Sequence, residues 1–290
     1  MGVYAVTGSA SGMGHEVAQR LCDAGHTVIG VDIKQAEVVA DLSTAEGRRD
    51  AIDRVLAASR GRLDGAVLAA GLGPGPAADR PRLIAQVNYL GVVDLLDAWR
   101  PALAATTHAK VVVFSSNSTT TTPAVPARTV RAFLAHDAEK AVRSARLFGK
   151  NASTIVYAAS KIAVSRWVRR EAVKSEWAGT GIRLNALAPG AIMTPLLEEQ
   201  LSMPKQARLI RSFPVPIGGF GDAGQLADWV LFMLSDAADF LCGSIVFVDG
   251  GTDAYFRADD WPRPVPVHGL LSYLKRFRDF SASTPAAASN

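Results

Sequence analysis

The chain of 290 residues is 49% hydrophobic and 20% charged, with 25 glycines, 15 prolines and 2 cysteines, which excludes the disordered, collagen-like and disulfide-scaffolded classes. Its 31 Lys and Arg against 27 Asp and Glu give a net charge of +4, and the basic residues are scattered among acidic ones, so nucleic acid is not an expected partner. No apolar run approaches the roughly 18 residues of a spanning helix, and the chain enters a buried-strand pattern without the basic stretch of a signal peptide. A cytoplasmic protein is expected, with Cys22 and Cys242 as small core residues.

Short apolar runs alternate with helix-length segments from the start. Val3 to Val6 reads as a strand, Thr7 to Gly14 as a glycine loop, and Glu16 to Ala24 as a helix facing inward through Val17, Leu21 and Ala24 before Gly25. Thr27 to Val31, Gly65 to Ala69, Lys110 to Phe114, Gly181 to Leu187 and Ser244 to Val248 are the next five strands. Six strands separated by helices predict an α/β fold, a single Rossmann-type doubly wound parallel sheet with helices on both faces. Two segments stand outside this pattern. Residues 128 to 149 carry Val130, Phe133, Leu134, Ala138, Ala141, Val142 and Ala145 at helical spacing, predicting one long or two short helices in an insertion spanning about 124 to 150. Beyond residue 257, Trp261 to Pro266 reads as an extended proline segment. An amphipathic helix over about 269 to 280 follows, with Leu270, Tyr273, Leu274 and Phe277 on one face, and the last ten residues are expected to fray.

The loop Thr7-Gly8-Ser9-Ala10-Ser11-Gly12-Met13-Gly14 lies where a dinucleotide pyrophosphate would meet backbone N–H groups and the positive end of a helix. Asp32, eighteen residues beyond Gly14, ends the second strand, where a carboxylate accepts from ribose hydroxyls and repels a 2′-phosphate. Lys34 is the one nearby cation, so NAD is favoured over NADP. Tyr157 and Lys161 lie four residues apart, on one face of a helix. An adjacent ammonium lowers a phenol pKa, which suits general acid/base work on an alcohol or ketone. Ser115-Ser116 ends the strand Lys110 to Phe114, in the ligand crevice of such a sheet. Each signal also has a plain structural reading, as a tight turn, a solvated strand end or a cap; their coexistence carries the weight. The five histidines are isolated and lack metal-ligand spacing, so no metal site is expected.

These residues resemble the short-chain dehydrogenase/reductase family over roughly residues 1 to 257. The glycine motif is met by Thr7, Gly8, Gly12 and Gly14, with Ser11 and Met13 between them; the active-site pair by Tyr157 and Lys161; the substrate-polarising serine by Ser116; and the helix asparagine by Asn88. Pro189-Gly190 with Thr194 is similar to the segment that holds the nicotinamide, Asp41-Leu42 to the pair beside adenine, and Gly71 to the glycine that follows the Gly65 to Ala69 strand. Ala40 to Arg48, Ala70 to Pro74 and Asn185 to Ala191 resemble the hydroxysteroid dehydrogenase/carbonyl reductase branch in particular, as does the wide separation of Ser116 from Tyr157. Leu68-Ala69-Ala70-Gly71 departs from the family's Asn-Asn-Ala-Gly and loses the asparagine hydrogen bonds to neighbouring strands.

The resemblance implies an NAD-dependent interconversion of a secondary alcohol and a ketone on a small apolar, steroid-like substrate. Tyr157 would move the proton, Ser116 hold the carbonyl oxygen, Lys161 bind the nicotinamide ribose, and Asn88 support a relaying water. Met193, Leu196, Leu197, Leu201, Met203 and Phe213 could cover the substrate, with Met193, Leu196 and Leu197 as its contacts. Terpenoids, quinones or xenobiotic ketones are the alternative substrates, and a non-catalytic NAD-sensing protein the alternative class. A homo-oligomer, dimer or tetramer, is expected. Many family members associate near the insertion, where an added helical layer would force another interface.

Overall fold

The computed structural model describes residues 1–202, 204–261, 264 and 267–283. Strands and helices alternate through β1 (Val3–Thr7), α1 (Gly12–Asp23), β2 (Thr27–Asp32), β3 (Val38–Val39), α2 (Ala45–Ala58), β4 (Gly65–Leu68), α3 (Arg80–Ala85), α4 (Gly91–Ala104) and β5 (Lys110–Phe114). The insertion follows as α5 (Ser118–Thr121), α6 (Ala127–Leu134) and α7 (Ala138–Ala145), leading into the long α8 (Ala152–Glu171). Next come β6 (Arg183–Pro189), β7 (Ile192–Met193), α9 (Pro195–Ser202), α10 (Pro204–Arg211), β8 (Gly221–Asp222), α11 (Ala223–Leu234), β9 (Ile245–Val248) and α12 (Thr252–Phe256). The chain divides into two compact units, Met1–Phe256 and the part from Arg257 onward, which holds α13 (Leu270–Ser283). Among the described residues no helix is long and apolar enough to cross a membrane.

Seven strands form one parallel sheet in the order β3-β2-β1-β4-β5-β6-β9, as the alternation of elements predicts. The central strand β5 is buried along its whole length, and its side chains divide between two cores. Val111 and Val113 face one, with α4, α6 and α8; Val112 and Phe114 face the other, with α1 and α11. That alternation is the two-residue period of a strand covered on both faces. Strand order reverses between β1 and β4, and the carboxyl ends of these neighbours open a crevice at the switch point.

Four expectations need correction. Strand β3 has only two residues, too short for a hydrophobic period, and takes its place by pairing Val38 with Val31. Strand β6 starts at Arg183 because Gly181 is in a left-handed turn (φ 88°). On α1, Val17 and Leu21 are buried but Ala24 is the exposed C-cap, past the point where the helix axis leaves the core. Cys22 is exposed, one residue from Leu21 and therefore about 100° around the helix; Cys242 is half-buried, its thiol donating to the Ala172 carbonyl at 3.3 Å. The insertion forms two short helices. Val130, Phe133, Ala141 and Ala145 are buried, and α6 and α7 pack on α8.

Candidate active site

The loop after β1 is shaped by glycine. A Cβ on Gly14 would stand 2.3 Å from the Gly8 carbonyl oxygen, and Gly8 itself has φ 72° with the Ala70 backbone nitrogen 2.9 Å from where its Cβ would lie. Loop, helix start and β4 end are thereby pressed together, which a side chain at either position would prevent. The first turn of α1 holds no acidic residue, and the Ser11 side chain makes no cap. Its backbone N–H groups are left for an anion at the positive helix end.

This loop forms one wall of a cavity of about 550 Å³. Gly8, Ser11, Gly12, Met13, Gly14, Asp32, Asp41, Leu42, Gly71 and Thr194 all line it, ten of the positions singled out from the sequence. Asp32 is held by two backbone donors, Ala10 N–H to Oδ2 at 3.1 Å and Lys34 N–H to Oδ1 at 3.0 Å. The Asp41 carboxylate accepts from Ser43 N–H at 2.9 Å, closing a turn that presents Leu42. Thr194 stands against the loop, its Cγ2 3.6 Å from where a Gly12 Cβ would lie.

Other lining residues had no motif to announce them. Arg80, Leu83 and Val87 reach the cavity, and their spacing of three and four residues is the one signal that could have found them. Arg80 Nε donates to the Gly73 carbonyl at 2.8 Å. The buried Arg48 buttresses the wall, donating to the Leu42 carbonyl (3.1 Å), the Gln86 side chain (2.9 Å) and Asp94 (2.8 Å).

Ser116, Tyr157, Lys161 and Asn88 stand beside this cavity, not in its lining. Ser116 lies beside the Tyr157 phenol and draws its pKa down against burial, and Ser116 Oγ accepts from Ser118 N–H at 3.1 Å. Lys161 Nζ donates to the Phe114 carbonyl at 2.6 Å, which ties α8 to the end of β5. Gly71 links the two groups: a Cβ there would lie 3.6 Å from Asn88 Oδ1 and 3.8 Å from Lys161 Nζ. Pro189 ends β6, held by Asn117 N–H at 2.9 Å, and Gly190 N–H donates to Val248 at 3.0 Å. Gly190 lines a separate cavity beside α11.

Two readings change. Burial pushes the Tyr157 phenol up, the opposing pull comes from Ser116, and no lowering by Lys161 accompanies it. Burial brings Lys161 itself down to about 8, because its ammonium is desolvated while bonded to a neutral carbonyl. The Asn88 side chain is committed to Leu72, accepting its N–H at 2.8 Å and donating to its carbonyl at 3.0 Å. It fixes the turn after β4. Of the apolar cover, Leu197 is buried and its N–H donates to Thr194 Oγ1 at 3.3 Å, Met193 is half-buried in β7, and Phe213 packs on Phe256 with ring centroids 5.8 Å apart. The side chains of Leu196 and Phe277, with Met203, lie outside the described residues.

Comparison with known proteins matches residues 2–127 to a short chain dehydrogenase model and residues 140–253 to an enoyl-(acyl carrier protein) reductase model. The 3-alpha-hydroxysteroid dehydrogenase/carbonyl reductase of Comamonas testosteroni is 37% identical over 260 residues, covering 89% of this chain and 98% of that protein. The chain belongs to the short-chain dehydrogenase family. A 3-oxoacyl-[acyl-carrier-protein] reductase of Thermotoga maritima is 27% identical over 86% of this chain and 96% of its own. Among solved structures, the 3-alpha-hydroxysteroid dehydrogenase of a Pseudomonas species complexed with NADH superimposes with a TM-score of 0.83 at 42% identity, covering 89% of this chain and all of that one. This chain is therefore a nicotinamide-dependent oxidoreductase of the family. Residues 128–139, between the two matched stretches, fall in the insertion.

Proposed function

We propose that the protein uses NAD(H) to interconvert a secondary alcohol and a ketone on an apolar substrate of the hydroxysteroid class. The observation that carries this reading is the convergence of Ser116, Tyr157 and Lys161 beside a cavity lined by the glycine loop and Asp32. The cavity fits a dinucleotide: a glycine cradle without room for a Cβ, free N–H donors at a helix start, and a carboxylate held by its own backbone. NAD(H), when bound, supplies or accepts the hydride.

The residues divide the remaining work. Asp32 accepts hydrogen bonds from ribose hydroxyls, and its charge opposes a 2′-phosphate. Ser116 donates to the carbonyl oxygen of the substrate. Tyr157, kept protonated by burial, gives that oxygen its proton in the reducing direction and takes it back in the other. Lys161 holds the ribose next to the nicotinamide. Asn88 is a positioning residue acting through the Leu72 backbone. The names of the Comamonas and Pseudomonas relatives support the steroid class. NADH fluorescence in the presence of a panel of cyclic ketones, steroids included, tests the reading. Loss of NADH with a steroid ketone is expected; an unchanged signal with every ketone would overturn it.

A further inference from the structure

The unit from Arg257 onward lies beyond residue 253, where the match to the family ends, and the site described above makes no use of it. Its helix α13 has 14 residues, too few to span a bilayer and a length that is marginal in water without a surface to pack on. Every described side chain from Leu270 to Phe280 is exposed. Leu271 is 83% exposed, Leu270 and Leu274 are each 50% exposed, and upstream Trp261 and Val267 are exposed too. The chain by itself therefore leaves an apolar helix face in water, which soluble proteins usually cover.

The charges around that face are ordered. With about 100° between successive residues, Leu270, Tyr273, Leu274 and Phe280 share an arc of about 120°. Arg278 lies about 40° past one edge of the arc, beside Leu271, and Arg276 about 40° past the other, while Lys275 and Asp279 take the opposite side. Lys275, Arg276 and Arg278 form no ion pair among the described residues. From Trp261 to Asn290 the basic residues are these three and Arg263, against the single acid Asp279. Cations at both edges of an apolar arc can lay their stems along it while their heads meet acidic headgroups. A second copy fits the face less well: two such helices joined through it would gather arginines along both seams, with Asp279 turned away.

We propose that α13 is a membrane-surface helix that lies in the interface of a bilayer bearing anionic lipid, with its leucines among the acyl chains and Arg276 and Arg278 at the phosphates, and so holds the oxidoreductase at the membrane. The inference does not depend on the substrate assigned above, and its test needs no turnover. Full-length protein should co-sediment with vesicles of phosphatidylcholine and phosphatidylglycerol in equal parts about tenfold more than with phosphatidylcholine alone, and high salt should lower the bound fraction. Protein ending at Asp260 should stay in the supernatant, with Tm and solution mass per protomer count unchanged. In the full chain, Leu270→Gln with Leu274→Gln, and separately Arg276→Gln with Arg278→Gln, should each weaken binding about tenfold with Tm unchanged. Equal sedimentation with both kinds of vesicle, sedimentation with neither, or anionic binding that survives the truncation or either double substitution would overturn the inference. Full-length protein that ignores vesicles but falls to a smaller oligomer on truncation would overturn it in favour of a second copy.

Discussion

The crevice at the β1–β4 switch point and the Ser116–Tyr157–Lys161 end beside it are built in different ways. The crevice is mostly backbone: glycines that admit close approach, helix N–H groups left uncapped, and carboxylates fixed by N–H donors two residues away or across one loop. The other end is made of buried ionisable side chains whose elements are far apart in the chain, tied by a Lys161 bond to the end of β5 and an Asn88 clamp on Leu72. Recognition of an invariant cofactor can rest on local geometry. Proton transfer needs side chains whose pKa values depend on what surrounds them.

That contrast can be broken at several points. Tyr157→Phe removes one oxygen from the side-chain end and should lower kcat by about 10² to 10⁴, with NADH affinity within a few-fold of the unaltered enzyme; stopped-flow turnover and fluorescence titration measure the two separately. Gly14→Ala strikes the backbone end instead. Its methyl would meet the Gly8 carbonyl, and overpacking of this kind costs about 1 to 3 kcal/mol. NADH Kd should rise about tenfold or more and Tm should fall, both readable by titration and calorimetry.

An effect of similar size is expected at Asp32. Loss of charge-assisted hydrogen bonds costs about 1.5 to 3 kcal/mol, so Asp32→Ala should narrow the NAD over NADP preference in kcat/KM about tenfold or more. Equal use of both cofactors by the unaltered enzyme would refute the role. The smallest effect is in pH. Lys161, lowered to about 8, is charged below that pH and loses its charge above it; the raised Tyr157 stays protonated at neutral pH. Ketone reduction should therefore hold level through neutral pH and decline as the phenol ionises, and NADH affinity should weaken a few-fold as pH passes about 8. Titration of NADH binding between pH 7 and 9 checks the lysine component, and a flat profile would remove Lys161 from the ribose.

The same contrast governed what could be read from the chain. The strand, glycine loop and helix of β1–α1 are contiguous, so Gly8, Gly12, Gly14 and Asp32 could be placed from spacing alone, and the family resemblance added Asp41, Leu42, Gly71 and Thr194 to the same wall. The insertion was legible because its apolar residues repeat at helical spacing, and Val130, Phe133, Ala138, Ala141 and Ala145 are buried while Leu134 and Val142 are half-buried. The direction of the Tyr157 shift was not, since burial of the phenol is a property of the assembled site and the one opposing pull comes from Ser116. Nor was the Asn88 clamp, because an amide cannot be assigned to a backbone partner sixteen residues away until the turn is built. Arg48 and Arg80 were missed for the same reason: scattered arginines look like solvated surface until a carbonyl is found beneath them.

Deuterium transfer tests the central claim most directly. The unaltered enzyme, given NADH deuterated at the transferring position of the nicotinamide and an apolar cyclic ketone, should yield an alcohol carrying deuterium at the carbinol carbon, with far less from the matching NADPH. NADH binding with no labelled alcohol from any steroid or other cyclic ketone would contradict the account.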